Sequence, residues 1–176
     1  MNILLILLVI IAIPLIVALF VKKDYAITRD IIINRPKQIV FDHIKFLKNQ
    51  DDFTTWATMD PSMKKTYTGT DGTLGFISAW DSENKKVGKG EQTIIKITEG
   101  NSIESQLHFI KPFEGFADAK MSTESVDYNT TKVTWNMSSS MKYPMNLALL
   151  FMNMEKIIGD DFAIGLSNLK NKMESK

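Results

Sequence analysis

From Ile3 to Val21 the chain carries no charged residue, and only Pro14 interrupts an otherwise unbroken run of apolar side chains. As a helix rising about 1.5 Å per residue, such a run spans roughly 28 Å, close to the hydrocarbon thickness of a bilayer. A cleaved signal peptide would want a basic start, a shorter apolar stretch and a small-x-small exit, whereas here only Met1 and Asn2 precede the run and no Ala-x-Ala site follows it. Pro14 is compatible with a kinked membrane helix, because the carbonyl it frees can be satisfied locally. The sequence therefore predicts a transmembrane anchor over residues 1–23, crossing the membrane through residues 3–21, and a folded head over residues 24–176. Lys22, Lys23, Arg29, Arg35 and Lys37 follow the run and no basic side chain precedes it. By the positive-inside rule this predicts a single-pass membrane protein with its main domain in the cytoplasm.

All the charge lies beyond the apolar run, where it makes up about a quarter of the residues, as in ordinary globular domains. Twenty-one Lys and Arg balance twenty Asp and Glu for a net charge of +1, so no global field points to nucleic acid. The absence of cysteine removes disulfides, thiolate metal sites and cysteine nucleophiles. With His43 and His108 as the only imidazoles, a multi-histidine metal site is excluded too, and no metal or cofactor is expected.

Within the head, the stretch from Tyr25 to Ile33 reads as a strand, and Pro36 opens a helix whose apolar positions are Ile39, Val40, Ile44 and Leu47. Two short helices are expected before Asp60-Pro61. Strand-like runs follow at Lys64 to Thr68, Leu74 to Trp80, Gly88 to Thr98, Ser102 to Ile110, Gly115 to Glu124 and Thr131 to Met141, with turn-forming residues between them. The period then changes: Leu147, Leu150, Phe151, Met154, Ile158, Phe162, Leu166, Leu169 and Met173 recur at three or four residues and predict one long amphipathic helix. Consecutive strands with segregated helices give an α+β class, and an antiparallel sheet with one apolar face needs that last helix as its cover.

No glycine-rich nucleotide loop, phosphate-binding loop, zinc-protease motif or nucleophile elbow occurs. Gly88-Lys89-Gly90 lies in a strand pattern and predicts a bulge or a close approach. Alternation in Leu107-His108-Phe109 turns His108 away from whichever face its neighbours take. Glu91, Glu104, Glu114 and Asp118 are the strand acids, and Glu91 and Glu114 are the candidates for proton transfer if either sits in an apolar pocket. The aromatic and methionine content, with Trp56, Phe76, Trp80, Phe109, Phe113, Trp135, Met137, Phe151, Met152 and Met154, fits either a filled core or the wall of an apolar cavity.

The order of several short segments resembles the helix-grip fold of the START-like, or SRPBCC, superfamily, in its bacterial polyketide cyclase/dehydrase-like branch. The segments are Thr55-Trp56 before Met59-Asp60-Pro61, Tyr67-Thr68-Gly69-Thr70-Asp71-Gly72, Gly75 with Trp80, and Val87-Gly88-Lys89-Gly90-Glu91. They continue with Phe109-Ile110-Lys111-Pro112-Phe113-Glu114, Thr131-Lys132-Val133-Thr134-Trp135 and Ile158-Gly159-Asp160-Asp161-Phe162 leading into Gly165-Leu166-Ser167-Asn168-Leu169-Lys170. The resemblance covers about Tyr25 to Lys172 and implies a curved sheet of about seven strands gripping the C-terminal helix, with a hydrophobic cavity between them. It also implies a guest that is a hydrophobic small molecule or lipid. No catalytic motif transfers to a numbered position.

The leading expectation is thus a membrane-anchored binding module without covalent chemistry, whose ligand-binding residues are Trp56, Phe76, Trp80, Phe109, Phe113, Trp135 and Met154. The rivals are a cyclase or dehydratase-like enzyme using Glu91 or Glu114 as base, and a protein-interaction or stress-response module with a filled interior. The sequence names no protein partner.

Overall fold

The computed structural model describes residues 2–175, with the side chains of Ile3 and of residues 8–175. Helix α1 (Asn2–Phe20) precedes strand β1 (Asp24–Ile33), and three short helices follow: α2 (Lys37–Ile44), α3 (Leu47–Gln50) and α4 (Thr55–Met59). Strands β2 (Lys64–Thr68), β3 (Ile77–Asp81), β4 (Lys89–Thr98), β5 (Ser102–Lys111), β6 (Gly115–Asp127) and β7 (Thr130–Ser140) come next. A 3-10 helix (Met145–Leu150) leads into the long α5 (Met154–Glu174). All strand pairs are antiparallel, and the seven strands form one sheet in the order β1-β7-β6-β5-β4-β3-β2.

Side-chain alternation assigns the faces. In β7, Thr131, Val133, Trp135 and Met137 are buried and Lys132, Thr134 and Asn136 lie on the other face; in β6, Ala117, Ala119, Met121 and Thr123 face inward. Helix α5 covers that inner face with Phe162, Gly165, Leu166, Leu169 and Met173. Gly165 permits close contact, since a Cβ there would lie 3.1 Å from the Trp135 ring. One turn earlier, Phe162 stacks on Trp135 with ring centroids 4.0 Å apart. The helix is fastened at both ends. Arg29 on β1 donates to the Glu155 carboxylate and to its carbonyl oxygen, while Arg35 donates to the carbonyls of Met173 and Glu174.

The structure differs from the sequence reading in four places. Three short helices, not two, follow β1. The long helix begins at Met154, because Asn153 caps it by accepting from the Lys156 amide; Leu147 and Leu150 belong to the separate 3-10 helix and Phe151 to the turn after it. Strand β3 starts three residues later than Leu74, since Gly72 and Gly75 take positive φ values of 74° and 81° in a loop that leaves Leu74 exposed. Finally, α1 forms where the anchor is predicted, but a membrane span is not shown: among the described residues no helix is long and apolar enough to cross a membrane.

Candidate ligand cavity

Between the inner face of the sheet and the first half of α5 lies a cavity of about 670 Å³, within the range of small-molecule sites. It exists because several inward positions are small: Ala57 on α4, Ala79 on β3 and Ala119 on β6 all line it and leave the space between larger neighbours unfilled. The aromatic wall is held edge to face. Trp56 meets Trp135 and Phe162 at centroid distances of 6.4 and 6.0 Å, and Trp80 meets Phe109 at 6.2 Å. The Trp80 indole also donates to the Val87 carbonyl at 3.3 Å. Its ring passes directly over Gly90, where a Cβ would come within 2.6 Å of both the ring and the His108 carbonyl. The chain shifts register between Lys89 and Gly90, so this glycine pair marks a bulge and a close approach, as the strand context suggests.

Of the seven residues predicted to bind ligand, Trp56, Trp80, Phe109, Phe113 and Trp135 line the cavity. Phe113 stands 71 % exposed in the β5–β6 loop, at the mouth. Phe76 is 1 % exposed in the core, stacked on Tyr67 at 6.1 Å, and Met154 at the start of α5 is half-buried; neither lies on the wall. The alternation that points Leu107 and Phe109 into the cavity turns His108 outward, where it stacks on Phe116 at 4.4 Å. Glu91 and Glu114 flank that imidazole at 3.8 and 3.3 Å, with side chains 41 % and 74 % exposed. Neither carboxylate lines the cavity, so neither is placed to act as a base on a guest held there. Glu104 is held between Lys96 and Lys120, whose hydrogen bonds and charges draw its pKa down, Lys120 contributing most. Asp118 is exposed.

The polar chemistry of the cavity comes instead from residues that motif reading passed over. Lys65 on β2 pairs with Asp51, after α3, at 2.7 Å, and both line the wall with side chains 25 % and 33 % exposed. Asp51 also accepts from the Tyr67 hydroxyl at 3.0 Å. Burial, then the hydrogen bond and charge of Asp51, push the Tyr67 phenol up to about 12. Gln92 adds an amide that donates to Ser105 at 2.7 Å. Alternation could have found Lys65: in β2 it shares a face with the core-packed Tyr67, and a cation on the inward face of a strand needs a partner or a ligand.

No family model matches the chain, and no curated protein sequence matches it. Solved structures do match in shape. Norcoclaurine synthase from Thalictrum flavum, in complex with dopamine and hydroxybenzaldehyde, superposes with a TM-score of 0.62 at 12% identity, covering 92% of this chain and 93% of that one. Ara h 8.0201 gives 0.59 at 12% identity over 87% and 99% of the two chains, and Aha1 from Colwellia psychrerythraea gives 0.58 at 15% over 85% and 96%. At these identities the likeness shows the fold. The fold is a helix-grip α+β fold, a seven-stranded antiparallel sheet closed by its C-terminal helix.

Proposed function

We propose that the head takes a hydrophobic small molecule or lipid into the cavity between the sheet and α5, and that α1 holds it at a membrane. The observation that carries the binding reading is the cavity itself: about 670 Å³ walled by Trp56, Trp80, Phe109 and Trp135, with small side chains where a filled core would have large ones. The Lys65–Asp51 pair supplies a polar end, which suits a guest with an apolar body and one charged or hydrogen-bonding group. Norcoclaurine synthase, which shares the fold, is seen with two small aromatic molecules, and this supports the reading by analogy.

The anchor reading rests on α1 and the residues that follow it. Among its described side chains, exposed apolar residues point to every side of the helix, among them Ile10 at 60 %, Ile11 at 62 %, Ile13 at 55 % and Leu19 at 63 %. A helix apolar all round has no stable place in water and is matched by lipid. Lys22 and Lys23 then favour a cytoplasmic head. Arg29 and Arg35 carry less of that argument than their sequence positions suggest, because both are bonded to α5.

Among the described residues the buried core cluster runs from Ile27 to Met173 and includes none from α1, and residues 22–176 are expected to fold as a unit. Native mass spectrometry of that fragment, followed by extraction of whatever is bound, tests the binding reading. A stoichiometric apolar adduct supports it; an empty protein that also takes up nothing from a panel of fatty acids, phospholipids and aromatic polyketides overturns it.

A further inference from the structure

The antiparallel register gathers the cavity mouth and the exit of α1 at one end of the molecule. Asp24 pairs with Ser140 and Ala117 with Ser139, so the start of β1, the end of β7 and the start of β6 share that end. Across the remaining strands Phe109 pairs with Gly115, Lys89 with Lys111, Asp81 with Lys89 and Lys64 with Asp81. The loops carrying Met63, Val87 and Phe113 therefore emerge there, and all three residues line the cavity, as does Ile157 in the first turn of α5. The other end holds the β6–β7 turn at Tyr128, and the last turn of α5, where Glu174 accepts from the Asn34 amide.

The connection between α1 and this end is a built joint. Asn146, in the 3-10 helix, is fully buried, and its side-chain amide donates to the carbonyls of Ala18 at 2.7 Å and Val21 at 3.0 Å. The Met141 amide donates to the Lys23 carbonyl at 2.9 Å. Helix α1 is thereby fastened to the head at the level of residues 143–152. That segment turns its apolar side chains outward: Phe151 is 88 % exposed, Leu150 55 % and Met145 52 %. Lys22, Lys23 and Lys142 lie exposed beside it.

We infer that this end of the head rests on the bilayer, with residues 143–152 and Phe113 in the headgroup and upper acyl region and the cavity mouth opening onto lipid. The inference rests on the anchor reading above. The occupant is a lipid surface for two reasons. The apolar patch continues directly from an apolar helix joined to it by Asn146, and the lysines at its edge complement anionic headgroups. An amphiphilic guest would then enter the cavity from the membrane without crossing water.

Because the chain has no cysteine, single-cysteine variants carry one nitroxide each. Full-length Phe151→Cys, Ile11→Cys and Tyr128→Cys, reconstituted in phosphatidylcholine vesicles with phosphatidylglycerol, report depth through collisions with oxygen and with a water-soluble nickel chelate. The labels at 11 and 151 are expected to collide with oxygen several-fold more, relative to the chelate, than the label at 128. A label at 151 that reads water while the label at 11 reads lipid overturns the docking and leaves the anchor standing. A label at 11 that reads water overturns the anchor and the docking with it.

Discussion

Tyr67 and Gly90 show how single residues shape the cavity without being recognisable as functional. The Tyr67 phenol is held protonated by burial and by Asp51, with its pKa raised from 10.0 to about 12. Because the folded value lies above the unfolded one, the contribution to stability is complete below pH 10 and is lost as pH rises through about 12. Phenolate absorbance of the folded protein should therefore show a step near pH 12 that Tyr67→Phe removes; a wild type without that step contradicts the assignment. Gly90 lacks room for a methyl group, with the Trp80 ring on one side and the His108 carbonyl on the other. The carbonyl cannot retreat without disturbing the β4–β5 ladder, so Gly90→Ala should cost about 1–3 kcal/mol in urea unfolding and shift the Trp80 emission. An unchanged midpoint and spectrum would show that the bulge relaxes freely.

At the scale of elements, the cavity arises between the inner face of the sheet and the first half of α5. Ala119 is 8 % exposed on the wall, and Ala119→Phe should fill the space it leaves. The expected result is loss of binding of a fluorescent fatty acid with the unfolding free energy held within about 1–3 kcal/mol of wild type; retained binding would place the guest elsewhere. The joint made by Asn146 belongs to this scale as well. Asn146→Leu removes both donors to the end of α1 and should cost about 1–3 kcal/mol where the carbonyls stay buried. Hydrogen exchange should rise through residues 18–23 and 141–147 and not in the centre of β7. Exchange that rises throughout the sheet would make Asn146 part of the global core.

For the whole molecule, the consequence of the register is that entry to the cavity and attachment of α1 occur at the same end. Substituting Phe151→Asp in the full chain should slow transfer of a fluorescent fatty acid from vesicles into the head, while leaving its equilibrium occupancy unchanged. Stopped-flow transfer measurements check this, and equal rates would mean that guests enter through water. The net charge of +1 means that any preference for anionic vesicles must come from the local lysines at 22, 23 and 142, not from a global field.

Much of this protein was determined by sequence periodicity alone. Two-residue alternation marked strands such as β6 and β7, where one face is buried and the other more exposed, and the three-to-four spacing after Met154 marked the helix that covers the sheet. Glycine and asparagine turns set the hairpins that make the sheet antiparallel. The sequence also pointed to five of the aromatic wall residues, since large side chains on inward positions are legible as such. It could not separate Phe76, which is packed on all sides, from Trp80, which faces a void, because that difference depends on the small residues opposite. Nor could it reveal that Glu91 and Glu114 share His108 on the outer face, or that Lys65 reaches Asp51 across the fold. Those pairings join residues on different strands and loops, and only the tertiary packing, with the registers of adjacent strands, brings them together.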